Sequence, residues 1–173
     1  MRTEIPLSKT KLLFSLAGSL LFVFLGYMII TDIPPKLNPD VTKALGIIVM
    51  AFFGITFIVA LIKFLDKKPG LVLDDNGIID NSSGVSAGLI EWKDITRIDV
   101  KQIISTKFLI IHTTNPDVYI KRVGKTKSWI MKRNMGLYGS PISIPSTTLR
   151  YDFEKLKNLI LVELEKHNGN RIA

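Results

Sequence analysis

The first third of the chain contains two long apolar runs. Residues 12–30 (LLFSLAGSLLFVFLGYMII) and residues 45–62 (LGIIVMAFFGITFIVALI) carry no charged side chain. At a helical rise of about 1.5 Å per residue, the first run alone covers roughly 28 Å, close to the thickness of the hydrocarbon core of a bilayer. Prolines at 34, 35 and 39 prevent one continuous helix. The pattern predicts a transmembrane helical hairpin with helices at about 12–30 and 45–65.

The rest of the chain alternates apolar and polar positions over shorter stretches that are typical of strands. LVLDDNGIID, from residue 71, has Asn76-Gly77 between apolar runs, which is a strong hairpin signal. Further strands are predicted in GLIEWKDI, TRIDVKQII, KFLIIHTT and PISI. The linker DKKPG between the two parts reaches at most about 18 Å. We therefore predict a membrane hairpin at 1–68 and a small domain at 69–173, held near the headgroups.

Two helical segments are expected within the second domain. Asn115-Pro116-Asp117 supplies the cap, the proline and the acid that open a helix, and predicts a basic amphipathic helix up to about Met135. Asp152 is the expected cap of a terminal helix with apolar residues at helical spacing: Phe153, Leu156, Leu159, Ile160 and Leu164. A small antiparallel sheet closed by such a helix predicts a partly open β-barrel with the helix at one end.

Three short motifs after the two apolar runs carry a family resemblance. They are GIID, IEWKDI and a terminal F-x-x-L-x-x-L-I helix. With the preceding hairpin, they resemble small bacterial membrane proteins that carry a pleckstrin-homology-like (PH-like) domain, the YcxB-like type. The resemblance implies an α+β protein in the bacterial inner membrane: a transmembrane hairpin, then a PH-like partly open β-barrel with a C-terminal capping helix. It implies no chemistry. Residues 114–145 are longer than a normal hairpin loop of that fold, so their topology stays open.

The motif IEWKDI has two interpretations. Ile90, Trp92 and Ile95 are expected to pack the interior of the barrel, with polar residues between them making a turn. In the alternative, Trp92 and Asp94 face a ligand groove. Alternation of apolar and polar residues favours the packing role.

Positive charge indicates the orientation of the hairpin. The chain has a net charge of +8. Six Lys and Arg residues flank the outer ends of the two apolar runs, whereas only Lys36 and Lys43 lie between the runs. The positive-inside rule therefore places both termini in the cytoplasm. A cleaved signal peptide is the alternative for the first run, but no A-x-A-like site follows it.

Residues for catalysis are scarce. The chain has no cysteine, which excludes disulfides, a thiolate nucleophile and a Cys-ligated zinc site. The GKT at 124–126 lacks the earlier glycine of a phosphate-binding loop, because residue 119 is tyrosine. His112 has no neighbours in sequence at triad or metal-ligand spacing. We therefore expect no enzyme, no metal and no cofactor.

The stretch KRVGKTKSWIMKRN is the most informative one for binding. On a helix at about 100° per residue, Arg122, Lys125, Lys132 and Arg133 fall within a sector of roughly 120° that also contains Trp129. The apolar residues of this stretch and of the turn before it lie opposite: Tyr119, Val123 and Ile130. A helix on a membrane surface places Lys, Arg and an interfacial Trp together in this way. The predicted site for anionic lipid headgroups or a protein partner comprises Lys121, Arg122, Lys125, Trp129, Lys132 and Arg133.

The same residues are compatible with other partners. A solvated basic face would show the same pattern, and Gly124 is able to break the helix. Four glycines in the apolar runs, Gly18, Gly26, Gly46 and Gly54, allow close helix packing, which leaves an accessory subunit of a larger membrane complex, or a homo-oligomer, as an alternative. Nucleic acid is not expected, because no nucleic-acid-binding motif accompanies the charge.

Overall fold

The protein divides into a helical unit and a sheet unit. The structure is a computed structural model that describes residues 2–32 and 38–169, apart from the side chain of Asn168. Residues 9–66 form one compact unit, and residues 2–8 together with 67–169 form the other. The helical unit consists of α1 (Lys9–Thr31) and α2 (Pro39–Leu65). The strands of the sheet unit are β1 (Thr3–Ile5), β2 (Leu71–Leu73), β3 (Gly77–Asp80), β4 (Gly88–Glu91), β5 (Ile95–Ile103), β6 (Thr106–Thr113) and β7 (Ile142–Pro145), and its helices are α3 (Pro116–Lys121), α4 (Lys125–Tyr138) and α5 (Phe153–Gly169).

Both predicted apolar helices are present, and each is longer than its apolar run. They are long and apolar enough to span a membrane, with mean hydropathies of 2.3 and 2.8. The second helix begins before the apolar run because Asn38 caps it: its Oδ1 accepts hydrogen bonds from the backbone N–H groups of Asp40 and Val41. Pro39 occupies the first turn of α2, where a missing N–H costs little. Prolines 34 and 35 lie outside the described residues.

Two of the four predicted packing glycines lie at the contact between α1 and α2. A Cβ on Gly46 would meet Ile30 Cγ1 at 2.5 Å and the carbonyl oxygen of Gly26 at 2.9 Å. Gly18 and Gly54 have no neighbouring atom within 4 Å of such a Cβ. The close approach within the hairpin therefore depends on Gly26 and Gly46.

The side chain of Lys9, at the start of α1, binds the C-terminal end of α2. Its ammonium donates hydrogen bonds to the carbonyl oxygens of Lys63, Phe64 and Asp66 at 3.3, 2.6 and 2.6 Å. These carbonyls belong to the C-terminal end of α2, where no further turn supplies N–H donors. A cation also complements the negative end of the helix dipole. Lys9 therefore links the start of α1 to the end of α2.

The segment before α1 belongs to the sheet unit rather than to the hairpin. β1 pairs antiparallel with β2, placing Ile5 opposite Leu71. Ile5 is fully buried in the core, whereas Glu4 is exposed and pairs with Arg2. The sheet has the order β1-β2-β3-β4, so the hairpin is inserted between two adjacent strands. This differs from the predicted boundary at residue 68, because three residues are too short to show a strand pattern.

The predicted hairpin around Asn76-Gly77 is present, but glycine has a different role in it. Asp74 Oδ1 accepts hydrogen bonds from the backbone N–H groups of Asn76 and Gly77, so an aspartate turn reverses the chain. Gly77 does not have a positive φ. A Cβ at this position would instead collide with the carbonyl oxygen of Ile90 on β4. Gly77 therefore allows β3 and β4 to approach closely.

The seven strands of the described residues form two antiparallel sheets and not a closed barrel. The second sheet has the order β5-β6-β7, and a 3-10 turn at Trp92–Asp94 separates it from β4. Ile90, Trp92 and Ile95 are buried, as predicted. The terminal helix α5 is capped by Asp152 Oδ1, which accepts from the backbone N–H of Lys155. Its buried side chains complete the core shared with both sheets: Leu156, Ile160 and Leu164.

Residues 114–145 form two helices instead of the single predicted one. α3 begins at Pro116 as predicted and ends at Lys121. Gly124, with φ −64° and ψ 160°, interrupts the helical path, and α4 starts at Lys125. α4 packs against the core through Met131, which is fully buried, and Asn134 donates a hydrogen bond to Ser143 of β7. Arg122 therefore does not lie on the same helix as Lys125.

The two ends of the four-stranded sheet differ in what they adjoin. Ile5, Leu71, Asp80 and Gly88 form one row across the strands. We call this row the junction end, since the chain continues from Ile5 into α1 and arrives at Leu71 from α2. The opposite row contains Thr3, Leu73, Ile78 and Ile90 and is called the distal end.

Candidate functional site

Four of the six predicted binding residues share the outer face of α4. At about 100° per residue, Lys125, Trp129, Lys132 and Arg133 fall within a sector of roughly 100°, and Met131 lies on the opposite side. Because Met131 is fully buried, this sector faces away from the core. We call these four residues the α4 face.

The α4 face combines charge with exposed apolar surface. The helix sequence KTKSWIMKRNMGLY has four basic residues and no acidic residue. Trp129 is 61% exposed, and the guanidinium of Arg133 lies 5.5 Å from its ring centroid. Leu137, about 40° beyond the edge of this sector, is 67% exposed and was not among the predicted site residues. Large exposed apolar side chains beside basic groups are typical of surfaces that contact a partner or a membrane.

Lys121 and Arg122 do not lie on α4 with the other four predicted site residues. Lys121 is the last residue of α3 and is exposed. The guanidinium of Arg122 donates to the carbonyl oxygens of Ala87, at 2.8 Å, and Leu89. It also lies 4.2 Å from the ring centroid of Tyr119. Arg122 thus covers the edge of β4, and its guanidinium serves mainly to hold α3 against the sheet.

Tyr119 anchors α3 to the sheets beneath Arg122. Its hydroxyl donates a hydrogen bond of 2.8 Å to Asp94 Oδ2, and its side chain is only 1% exposed. Burial, together with the hydrogen bond to Asp94 and its negative charge, raises the pKa of Tyr119 to about 12. The phenol therefore stays protonated at neutral pH. Asp94 serves this contact rather than the ligand groove considered as an alternative.

The α4 face begins near the junction end of the sheet. The two carbonyls that Arg122 binds flank Gly88, which belongs to the junction row. Lys125 follows Arg122 by three residues, a span of at most about 10 Å. The first turn of α4 therefore follows closely on the residue that binds the chain beside Gly88.

A cavity of about 250 Å³ lies at the distal end. It is lined by Asp75, Asn76, Glu91, Trp92, Lys93 and His167. Trp92 stacks on the imidazole of His167 with ring centroids 5.2 Å apart, and its Nε1 donates to the carbonyl oxygen of Asp74 at 2.7 Å. Trp92 thus packs the core and also borders this cavity. The lining is charged and open, and the six predicted site residues are not part of it.

His112 has a carboxylate partner that its sequence neighbours did not reveal. His112 Nε2 lies 3.0 Å from Asp99 Oδ2, and Arg97 also binds Asp99, at 2.9 Å. Arg97 is directly opposite His112 in the β5–β6 ladder, so the register explains the cluster. It is an ion-pair cluster on the sheet and is not part of the lining of the 250 Å³ cavity. Within residues 2–32 and 38–169, no group of three or more His, Asp or Glu side chains could hold a metal ion.

Comparisons with known proteins do not assign this chain to a family. No protein-family model, no curated protein and no solved structure matches it. The evidence on function therefore comes from the α4 face and from the insertion of the two apolar helices between β1 and β2.

Proposed function

We propose that this protein is a non-enzymatic binding or scaffold protein of the bacterial inner membrane, whose sheet unit docks on anionic lipid headgroups. The anchor would be the helical unit. Its apolar side chains are largely exposed, for example Phe14, Phe52 and Ile55. Soluble proteins rarely expose apolar surface on this scale, whereas a lipid bilayer would cover it.

The insertion of the hairpin between β1 and β2 supports two membrane crossings. Residues 2–8 and residues 67–169 belong to one folded unit, so both ends of the hairpin must emerge on the same side of a membrane. An even number of crossings meets this requirement. The excess of Lys and Arg at these ends favours the cytoplasmic side. Cleavage of a signal peptide within or after α1 would separate β1 from its sheet.

The PH-like assignment is part of this proposal. It is supported by two antiparallel sheets of consecutive strands and by the terminal helix α5, which packs its apolar side against both. The two-helix segment at 116–138 is an insertion between β6 and β7. This insertion carries the exposed basic residues that would distinguish the protein from a plain scaffold.

The α4 face is the single observation that carries lipid docking. A Lys or Arg near an anionic membrane contributes on the order of 1 kcal/mol, less at higher salt. Trp129 is suited to the headgroup region because its ring is amphipathic. Since the hairpin would already hold the sheet unit near the membrane, a weak surface affinity is enough to fix its orientation.

A hairpin-deleted variant allows a test of docking without the anchor. Residues 9–66 are replaced by a short Gly-Ser turn that joins Ser8 to Lys67. The antiparallel pairing of β1 with β2 brings these two ends together, so a turn can replace the helices. A fragment that starts at residue 69 would lack β1 and would leave the edge of β2 unpaired.

Vesicle partitioning of this variant tests the proposal. We expect binding to anionic vesicles that weakens with salt, and none to neutral vesicles. Lys125→Gln with Lys132→Gln should lower the partition coefficient by roughly 30-fold at low salt, the equivalent of about 2 kcal/mol. The matched control is Lys93→Gln with Lys166→Gln. Lys93 lines the distal cavity, and Lys166 directly precedes His167, which also lines it, so the same charge is removed at the distal end and binding should change little. Equal losses in both pairs would exclude docking through α4.

An accessory subunit of a larger membrane complex is the second candidate. Gly18 and Gly54 have open space where a side chain would be, so they leave room on the outer helix surfaces for another helix. Gly54→Leu should then abolish co-purification of a partner after mild detergent extraction. If the same proteins co-purify with the wild type and the variant, this candidate loses its support.

A further inference from the structure

The hairpin that connects β5 and β6 has an unusual tip. Ile103 and Thr106 form the last pair of the ladder, so Ile104 and Ser105 make the turn. Ile104 is 93% exposed, the highest value among the exposed large hydrophobic residues of the described chain. It also has a φ of 55°, a left-handed conformation that β-branched residues rarely adopt. The residue therefore gains little from packing and stores backbone strain.

The conformation of this tip is supported by its neighbours. Gln102 Nε2 donates a hydrogen bond of 3.0 Å to the carbonyl oxygen of Ile104. Lys107, on the other strand, binds Glu154 at 2.8 Å and lies 5.3 Å from the ring centroid of Phe153. Both contacts hold the turn in place with Ile104 outermost. Strain that persists in a supported, exposed residue is often kept for function.

The surroundings of the tip suit an anionic membrane. Residues 100–116 contain no acidic residue, and Lys101 and Lys107 flank the two exposed isoleucines. Lys107 shares its charge with Glu154, so Lys101 is the main contributor. An apolar tip between basic residues matches the order of a bilayer surface, in which acyl chains lie beneath anionic headgroups.

The tip lies at the same end of the three-stranded sheet as Pro145, the last residue of β7. β7 runs antiparallel to β6, so Pro145 at its end is opposite Phe108, near the start of β6. Three residues later, the carbonyl oxygen of Thr148 accepts a hydrogen bond of 2.8 Å from the backbone N–H of Ser8. Ser8 directly precedes α1.

We propose that Ile103 and Ile104 at the β5–β6 tip insert into the interfacial region of the bilayer that holds α1 and α2. This inference deepens the proposed lipid docking and rests on it for the membrane location. The two isoleucines would be buried among the lipids, and the basic residues of the α4 face would be attracted to the anionic headgroups. A second copy of the chain or another protein that covers the tip is the competing occupant.

Site-specific fluorescence on the full chain tests the inference. The absence of native cysteines allows single labels at Ile104→Cys, or at Ser105→Cys if the first variant folds poorly. Asn76→Cys at the distal turn is the matched control. Each labelled protein is reconstituted into anionic vesicles with an environment-sensitive dye. We expect a blue-shifted emission at the tip and several-fold stronger quenching by acyl-chain quenchers than at residue 76.

Two results would overturn the inference. Emission at the tip like that at residue 76, with equal access to an aqueous quencher, would mean that the tip stays in water. Shielding from water without quenching by lipid would mean that a protein covers it. Either result leaves docking by the α4 face to be judged from the vesicle partitioning of the Lys125→Gln and Lys132→Gln variant. Conversely, lipid quenching at the tip of a full chain that also carries Lys125→Gln and Lys132→Gln would separate tip insertion from α4 docking.

Discussion

Replacement of Ile5 by alanine tests whether the segment before α1 is part of the folded sheet unit. Ile5 is fully buried and contributes to the same core as Leu71 and Leu73. Removal of such a side chain costs about 2–5 kcal/mol, because burial is lost and a cavity is left. Domains of this size are stable by only about 5–15 kcal/mol. The substitution should therefore remove a large part of the total free energy of unfolding.

Urea unfolding of the hairpin-deleted variant, followed by circular dichroism, gives the measurement. With a slope of about 1.5 kcal/mol per molar urea, a loss of ~3 kcal/mol lowers the midpoint by about 2 M. Glu4→Ala is the control, since Glu4 is exposed and its surface ion pair with Arg2 is worth at most about 1 kcal/mol. Equal midpoints for the two variants would refute the assignment of β1 to the sheet.

Three further predictions concern other parts of the chain. Gly46→Leu should lower the melting temperature of the full chain in detergent, because overpacking against Gly26 costs about 1–3 kcal/mol. Gly18→Leu should leave the melting temperature unchanged, and equal effects of the two variants would contradict the packing of α1 on α2. Ile104→Asn should raise the stability of the hairpin-deleted variant by about 1 kcal/mol in urea unfolding, since Asn tolerates a positive φ; a loss would argue against strain. Burial and the contact with Asp94 raise the pKa of Tyr119 from 10.0 to about 12, so the stability that its protonated form contributes is complete below pH 10 and is lost as the pH rises towards 12. Tyr119→Phe should therefore remove the last step of the tyrosinate absorbance titration, and an unchanged last step would contradict this assignment.

Long and strongly patterned segments were predictable from the sequence. The two apolar helices, the strand that contains His112 and the terminal helix after Asp152 each keep their pattern over many residues, and all four are present. β1 was not predicted, because Thr3–Ile5 is too short for a pattern and its pairing with Leu71 crosses the whole hairpin. Contacts so distant in sequence leave no local signal.

The candidate site was predictable only in part. Lys125, Trp129, Lys132 and Arg133 do share an exposed face, because α4 keeps helical spacing over that stretch. Arg122 was misplaced, since the helix breaks before Gly124 and its guanidinium turns to the edge of β4. The Asp99–His112 pair depends on the strand register, which the sequence of either strand alone does not define.

We propose that the sheet unit docks on anionic membranes through the α4 face. The most direct test is co-sedimentation of the hairpin-deleted variant with anionic and neutral vesicles, at low and at physiological salt. We expect binding to anionic vesicles alone, weakened by salt and by replacement of Lys125 and Lys132 with glutamine. No binding to anionic vesicles at low salt, by a variant that unfolds cooperatively in urea, would contradict it.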